Sequence, residues 1–136
     1  MAKHATYFFS QDAQAQAAFY VQALGGEVVS VQKFDQMPNT SEADKNKVLH
    51  LHLVAAGVTF YMCDSFGPVH QGNAISQCLE FETEAEAHEA FANLASEGGK
   101  VTHELRKEFW GALFGQVEDK FGVQWMITTT APAMQA

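Results

Sequence analysis

FWGALFGQVEDKFGVQWMIT, residues 109–128, is the stretch whose reading decides the fold. Its middle, Asp119-Lys120-Phe121-Gly122, opens on the acid and closes on the glycine that a type I turn favours. On either side, Leu113 to Glu118 and Val123 to Thr129 are dense in β-branched and aromatic residues and read as two strands. Ahead of them, Phe109-Trp110-Gly111 reads as an aromatic-glycine loop. The whole stretch is a β-hairpin entered through that loop.

Working outward, the hairpin has a counterpart. Gly122-Val123 with Trp125 matches Gly57-Val58 with Phe60. Further upstream, Phe81, Ala85, Ala87, Ala90 and Phe91 match Phe9, Ala13, Ala15, Ala18 and Phe19 without a gap. Gly98-Gly99-Lys100-Val101 then matches Gly25-Gly26-Glu27-Val28 after a one-residue slip, so the two halves repeat. In the first half, a strand over residues 4–9 leads to a helix over about 13–24. Ser10 or Asp12 caps that helix and Gly25-Gly26 stops it, before strands over 27–34, 48–54 and 58–63. In the second half, a strand over 74–81 leads to a helix from Thr83, its N-cap, to about Ser96, with Gly98-Gly99 at its end. A strand over 100–105 and the hairpin follow. Asp35 to Lys47 is a polar surface loop, and Asp64 to Gly72 a Gly/Pro loop between the halves. The expected class is α+β. Two βαβββ modules, about 3–64 and 73–130, form an eight-stranded curved mixed sheet around a cleft in one domain, 1–136, with a disordered tail over 131–136.

Three stretches carry a resemblance. FWG followed by FGxVxDxFGxxWMI (residues 109–127), Phe19-Tyr20 with Ala23-Leu24-Gly25-Gly26-Glu27-Val28, and Gly72-Asn73 leading into Leu79-Glu80-Phe81 resemble the PhnB-like subgroup of the vicinal oxygen chelate superfamily. This superfamily holds glyoxalases, bleomycin-resistance proteins and dioxygenases, and parts of the subgroup carry a demethylubiquinone methyltransferase label. The resemblance implies the same paired βαβββ fold.

Composition limits the functions available. The chain has 136 residues and a net charge of −8, from 8 Lys+Arg against 16 Asp+Glu. An acidic surface repels phosphate backbones, so nucleic acid and anionic membranes are not expected partners. No apolar run reaches the length of a membrane span. Met1-Ala2-Lys3-His4 leads directly into a strand-like run without the features of a secretory signal, so a cytoplasmic location is expected. Cys63 and Cys78 match no zinc spacing and are expected to stay reduced there.

Strand alternation sorts the side chains. Phe9 and Phe81, equivalent in the repeat, are expected in the core, which sends His4, Thr6, Phe8, Ser76, Cys78 and Glu80 to the cleft. Leu49, Leu51 and Leu53 belong under the helices and His50 and His52 in the cleft. With Phe60 and Trp125 in the core, Thr59, Tyr61, Gln124 and Met126 face the ligand space. A register error of one residue reverses any of these assignments. Trp110 either closes over a flat ligand or anchors its loop. Cys78 reads as a small buried filler, and His88 and His103 as surface residues.

The resemblance also implies where a metal would sit. Metal-dependent members of the superfamily place ligands on strands one, four, five and eight, positions that fall on His4 (or Ala5), Tyr61, Ser76 and Met126. Only His4 among them is a good ligand for a hard or borderline divalent ion. An alternative ion would be held by His50 and His52 with His4 or Glu80; the two histidines of the strand lie about 6–7 Å apart on one face. His52 is also the candidate acid or base near neutral pH, since family members often carry an acid there. No Gly-rich strand-to-helix turn offers a nucleotide-bearing cofactor a seat. The expected function is therefore small-molecule binding in the cleft with no cofactor, by a homodimer. His4, His50, His52, Tyr61, Ser76, Trp110, Gln124 and Met126 would line the site. The alternative is a lyase, isomerase or dioxygenase with a divalent metal at a rearranged site.

Overall fold

The computed structural model describes residues 1–131, so the tail expected over 131–136 lies, apart from Ala131, outside the described residues. The chain divides into two compact units, Met1–His70 and the residues from Gln71 on. Each holds one βαβββ module. Module 1 runs β1 (Thr6–Ser10), α1 (Ala13–Leu24), β2 (Gly26–Lys33), β3 (Val48–Ala55) and β4 (Val58–Asp64), with a 3-10 turn at Phe34–Gln36. Module 2 runs β5 (Gln77–Phe81), α2 (Glu84–Leu94), β6 (Lys100–Lys107), β7 (Leu113–Glu118) and β8 (Gln124–Thr129). The eight strands form two four-stranded mixed sheets, ordered β1-β4-β3-β2 and β5-β8-β7-β6. In each, the first strand pairs parallel with the last, and the remaining pairs are antiparallel. No described helix is long and apolar enough to cross a membrane.

The helices start and stop for local reasons. Asp12 accepts from the Ala15 N–H, and Asp64, from the end of β4, accepts from the Ala13 N–H at 2.7 Å. Two carboxylates therefore satisfy free donors at the positive end of α1. In α2, Thr83 accepts from the Glu86 N–H while its hydroxyl donates to the Glu86 carboxylate, and Glu84 joins it in the first turn. Both helices bury one stripe: Gln16, Phe19, Tyr20 and Ala23 in α1; Ala87, Ala90, Phe91 and Leu94 in α2. Gln16 is admitted because its amide donates to the Tyr20 hydroxyl at 2.9 Å.

Both modules share one clamp. Asp64, the last residue of β4, accepts from the first amide of β3, Val48, at 2.7 Å. Thr129, the last residue of β8, accepts from the first amide of β7, Leu113, at 2.9 Å. A carboxylate in one module and a hydroxyl in the other thus fix the same pair of strands. Module 2 adds a second buried acceptor, Asp119, which takes the N–H groups of Phe121 and Val123 and the indole N–H of Trp125. The acid that opens the turn also anchors the largest side chain of the core.

The core corrects the first strand. Phe8 is 5% exposed, against Tyr20 and Phe60, whereas Phe9 is 60% exposed. Thr6 shares the helix-side face with Phe8, and Tyr7 and Phe9 take the open one. The cause is the repeat. Thr6 pairs with Phe60 as Gln77 pairs with Trp125, so the strands correspond at a spacing of 71 residues. The caps Asp12 and Thr83 stand at that same spacing. Matching Phe9 with Phe81 by residue type is one position too long, and it reverses the face of every residue on β1. The counterpart of Phe9 is Glu80, and that of Tyr7 is Cys78.

Candidate functional site on the open sheet faces

Each module covers one face of its sheet with its helix and leaves the other open. On β3, Leu51 and Leu53 are buried while His50 and His52 are not, as the alternation predicts. On β4, Phe60 and Met62 are buried, and Thr59, Tyr61 and Cys63 lie opposite. The register sets His52 beside Tyr61 and Tyr61 beside Tyr7. The result is a ring cluster in module 1. Its centroids lie 5.3 Å apart for His50–Tyr61, 5.1 Å for His52–Tyr61, 5.9 Å for Tyr7–His50 and 6.3 Å for Tyr7–Tyr61.

Two polar features mark this cluster. The Tyr7 hydroxyl lies 3.4 Å from His50 Nδ1. Burial first, and then the neighbouring Cys63 thiol, push the Tyr7 phenol up, so it remains a protonated donor at neutral pH. His52 Nε2 is buried with no hydrogen-bond partner. Leaving such an atom unsatisfied costs about 1–3 kcal/mol, which a core residue would not ordinarily carry.

The corresponding face of module 2 has different chemistry. Met126 stands where module 1 has Tyr61, Gln116 where it has His52, Phe114 where it has His50, and Cys78 where it has Tyr7. Gln124 donates to Glu118 at 2.8 Å. Trp110 sits in the turn between β6 and β7, closed by Glu108 and Ala112, and packs edge-on against Phe114. That contact anchors the loop, yet Trp110 remains about half exposed and its neighbour Phe109 fully so. His103 is only half-exposed. It stacks edge-on with Phe114 and lies 3.5 Å from Glu108, so it belongs to this face rather than to the bare surface.

The expected site residues thus fall into groups. His50, His52 and Tyr61 come together in module 1. Gln124 and Met126 share the open face of module 2. His4 and Ser76 are exposed and lie outside any strand, since β1 and β5 begin only at Thr6 and Gln77. Sequence reasoning missed Tyr7. The spacing of the two helix caps was the signal that would have placed it.

The same register bears on the metal positions that the resemblance implies. Ser76, just before Gln77, corresponds to Ala5, just before Thr6, and not to His4. The four positions that the resemblance implies would then hold Ala5, Tyr61, Ser76 and Met126. None offers imidazole, thiolate or carboxylate, so these residues do not fit a glyoxalase-type ion. Among the described residues, no group of three or more His, Cys, Asp or Glu side chains is placed to hold a metal, and His4, His50 and His52 form no such group.

Cys78 is exposed, not a buried filler. Desolvation, and next the Glu80 carboxylate, push its thiol up and keep it protonated at neutral pH. Glu80→Gln removes the like charge that opposes the thiolate, so the thiol value falls. Iodoacetamide should then label Cys78 faster at pH 7.5, by about two- to three-fold, the scale of one exposed charge a few ångströms away. Peptide-resolved alkylation rates check this.

Comparison with known proteins agrees with the geometry. A sequence profile of the family described as 3-demethylubiquinone-9 3-methyltransferase matches residues 3–128. Protein YjdN of Escherichia coli is 28% identical over 122 residues, covering 81% of this chain and 82% of that protein. The structure of PA1353 from Pseudomonas aeruginosa superposes with a TM-score of 0.81 at 30% identity, over 95% of this chain and 98% of that one. A putative 3-demethylubiquinone-9 3-methyltransferase, the PhnB protein of Bacillus cereus, gives 0.76 at 26% identity, over 95% and 100%. A Burkholderia phytofirmans enzyme of the glyoxalase/bleomycin resistance/dioxygenase family shares the fold, with a TM-score of 0.64 at 12% identity over 91% of this chain and 94% of that one. With two βαβββ modules and a profile match along nearly its whole length, the chain belongs to the PhnB-like, 3-demethylubiquinone-9 3-methyltransferase family of the vicinal oxygen chelate fold.

Proposed function

We propose that this protein binds a small organic molecule on its open sheet faces, without a glyoxalase-type metal centre, and does so as a homodimer. The carrying observation is the ring cluster of Tyr7, His50, His52 and Tyr61, turned to the side of the sheet that the helix leaves uncovered. Aromatic walls with a few placed polar atoms are the usual lining of a small-molecule site. The residues at the four superfamily metal positions support the same reading, because they lack the donors a catalytic ion takes. Methyl transfer, which the family description names, has no support in these residues. The strand-to-helix turns, Gln11-Asp12 and Glu82-Thr83, carry no glycine to let a nucleotide-bearing cofactor approach the backbone. The case for a dimer rests on sheet edges and on exposed Phe9, Ile75 and Phe109, which pairing of chains would cover.

One preparation tests the reading. The purified protein is incubated with nickel, zinc or iron, passed through gel filtration, and analysed for metal and for mass by light scattering. The expected result is no retained stoichiometric ion and a mass twice the 14.9 kDa of the chain. One ion per chain, lost on His50→Ala, would move the reading to a metal-dependent enzyme. A mass of one chain would remove the dimer.

A further inference from the structure

Three of the four rings named in the module 1 cluster have a geometry that says more about the guest. Tyr7, His50 and Tyr61 form a nearly equilateral triangle, with centroids 5.9, 6.3 and 5.3 Å apart. A linear stack would put its outer rings at about twice the spacing of neighbours, so these three stand side by side. Their planes are tilted to one another by 41°, 34° and 31°, so no pair is stacked face to face or set edge-on. Tyr7 is exposed and His50 and Tyr61 are half-buried, so the Tyr7 corner of the triangle is the side open to an arriving molecule.

The charge around the triangle is equally informative. Its neighbours on the same face are His52 and Thr59 along β3 and β4, Ser30 and Gln32 across β3, and Phe9 and Cys63 at the other edge. None is Lys, Arg, Asp or Glu. Glu27, the acid on the same face, lies at the far end of β2 opposite Val54. An oxyanion brought here would lose its hydration and meet imidazole and hydroxyl groups, with no Lys or Arg to pair with. A flat ring would lose little and gain the attraction between offset π faces, while the Tyr7 hydroxyl and the His50 ring nitrogen can meet one polar atom at its rim. The matching positions of module 2, held by Cys78, Phe114 and Met126, contain a single ring and form no such triangle.

We propose that the Tyr7–His50–Tyr61 triangle is a stacking platform for a flat, uncharged ring system, and that it selects against saturated rings and against oxyanions. This rests on the reading of the open face as a small-molecule site and adds the ligand class. The test uses the labelled full chain and three probes: 2-naphthol, its saturated counterpart decahydro-2-naphthol, and naphthalene-2-sulfonate. Side-chain NMR shifts report both location and affinity. 2-Naphthol is expected to shift Tyr7, His50 and Tyr61 through its ring current, and to bind about ten-fold more tightly than either other probe, the scale of one aromatic contact. Tyr7→Leu should erase that advantage, while Tyr7→Phe should keep most of it, which separates loss of the platform from loss of the fold. If decahydro-2-naphthol or the sulfonate binds as tightly at the same side chains, the ligand class is wrong and the site stands. If none of the three probes shifts these residues, both the class and the site fall.

Discussion

Replacing Asp119 by alanine is expected to cost about 3–5 kcal/mol, a large share of the total stability of a small domain. One carboxylate accepts from the Phe121 and Val123 amides and from the Trp125 indole at 2.8 Å. Trp125 is 0% exposed, so losing the carboxylate takes a buried acceptor from its N–H. The turn and the core would fail together, because the same residue holds both. Asp119→Asn keeps one carbonyl oxygen as acceptor and presents an amide donor to the remaining N–H groups, so it should fall short of alanine, at about 2 kcal/mol. Urea unfolding followed by tryptophan fluorescence measures both. A loss under 1 kcal/mol for alanine would show that the turn stands without its acid.

A comparable loss, about 4 kcal/mol or more, is expected from Gly26→Ala. Gly25 and Gly26 read alike in the sequence, as a pair that ends a helix. In the structure they do different work. Gly25 takes φ 80 to close α1, and a Cβ added there would meet open space. Gly26 takes φ 157, and a Cβ there would be driven into the backbone carbonyl of Val54 on the neighbouring strand. Gly25→Ala should therefore cost only the backbone term of a positive-φ conformation, about 1–3 kcal/mol. The two variants, compared by thermal and urea unfolding, separate conformation from contact. Equal losses would contradict the close approach of β2 to β3.

Much of the architecture was legible because it is written in periodicity. Val-Leu-His-Leu-His-Leu-Val alternates so strictly that His50 and His52 could be placed opposite the buried leucines from the sequence alone. Phe60 and Trp125, each two residues past a glycine-valine pair, located the hairpins and put Tyr61, Gln124 and Met126 on the open faces. The first strand resisted because Phe8 and Phe9 are the same residue type, and hydrophobicity does not say which one faces in. Asp119 looked like an ordinary turn acid, since its bond to Trp125 spans a distance in sequence that turn preferences do not register. Cys78 and His103 were misjudged for a related reason. Cys78 lies on the open face rather than in the core, and His103 meets Glu108 and Phe114, neighbours supplied by the fold.

The strand order carries a consequence for how the chain is made. In each module the last strand to leave the ribosome, β4 or β8, is an interior strand, inserted between the first and the third. Thr6 therefore waits for Phe60, and Gln77 for Trp125, before β1 or β5 has a partner. Until then only the β2–β3 or β6–β7 ribbon can form, and Phe8 or Leu79 has no core to enter. Closing so long a loop is slow, and the unpaired edges are open to wrong partners while it lasts. The clamps at Asp64 and Thr129 sit on the residues that arrive last, so each module is locked by the end of the strand that completes it.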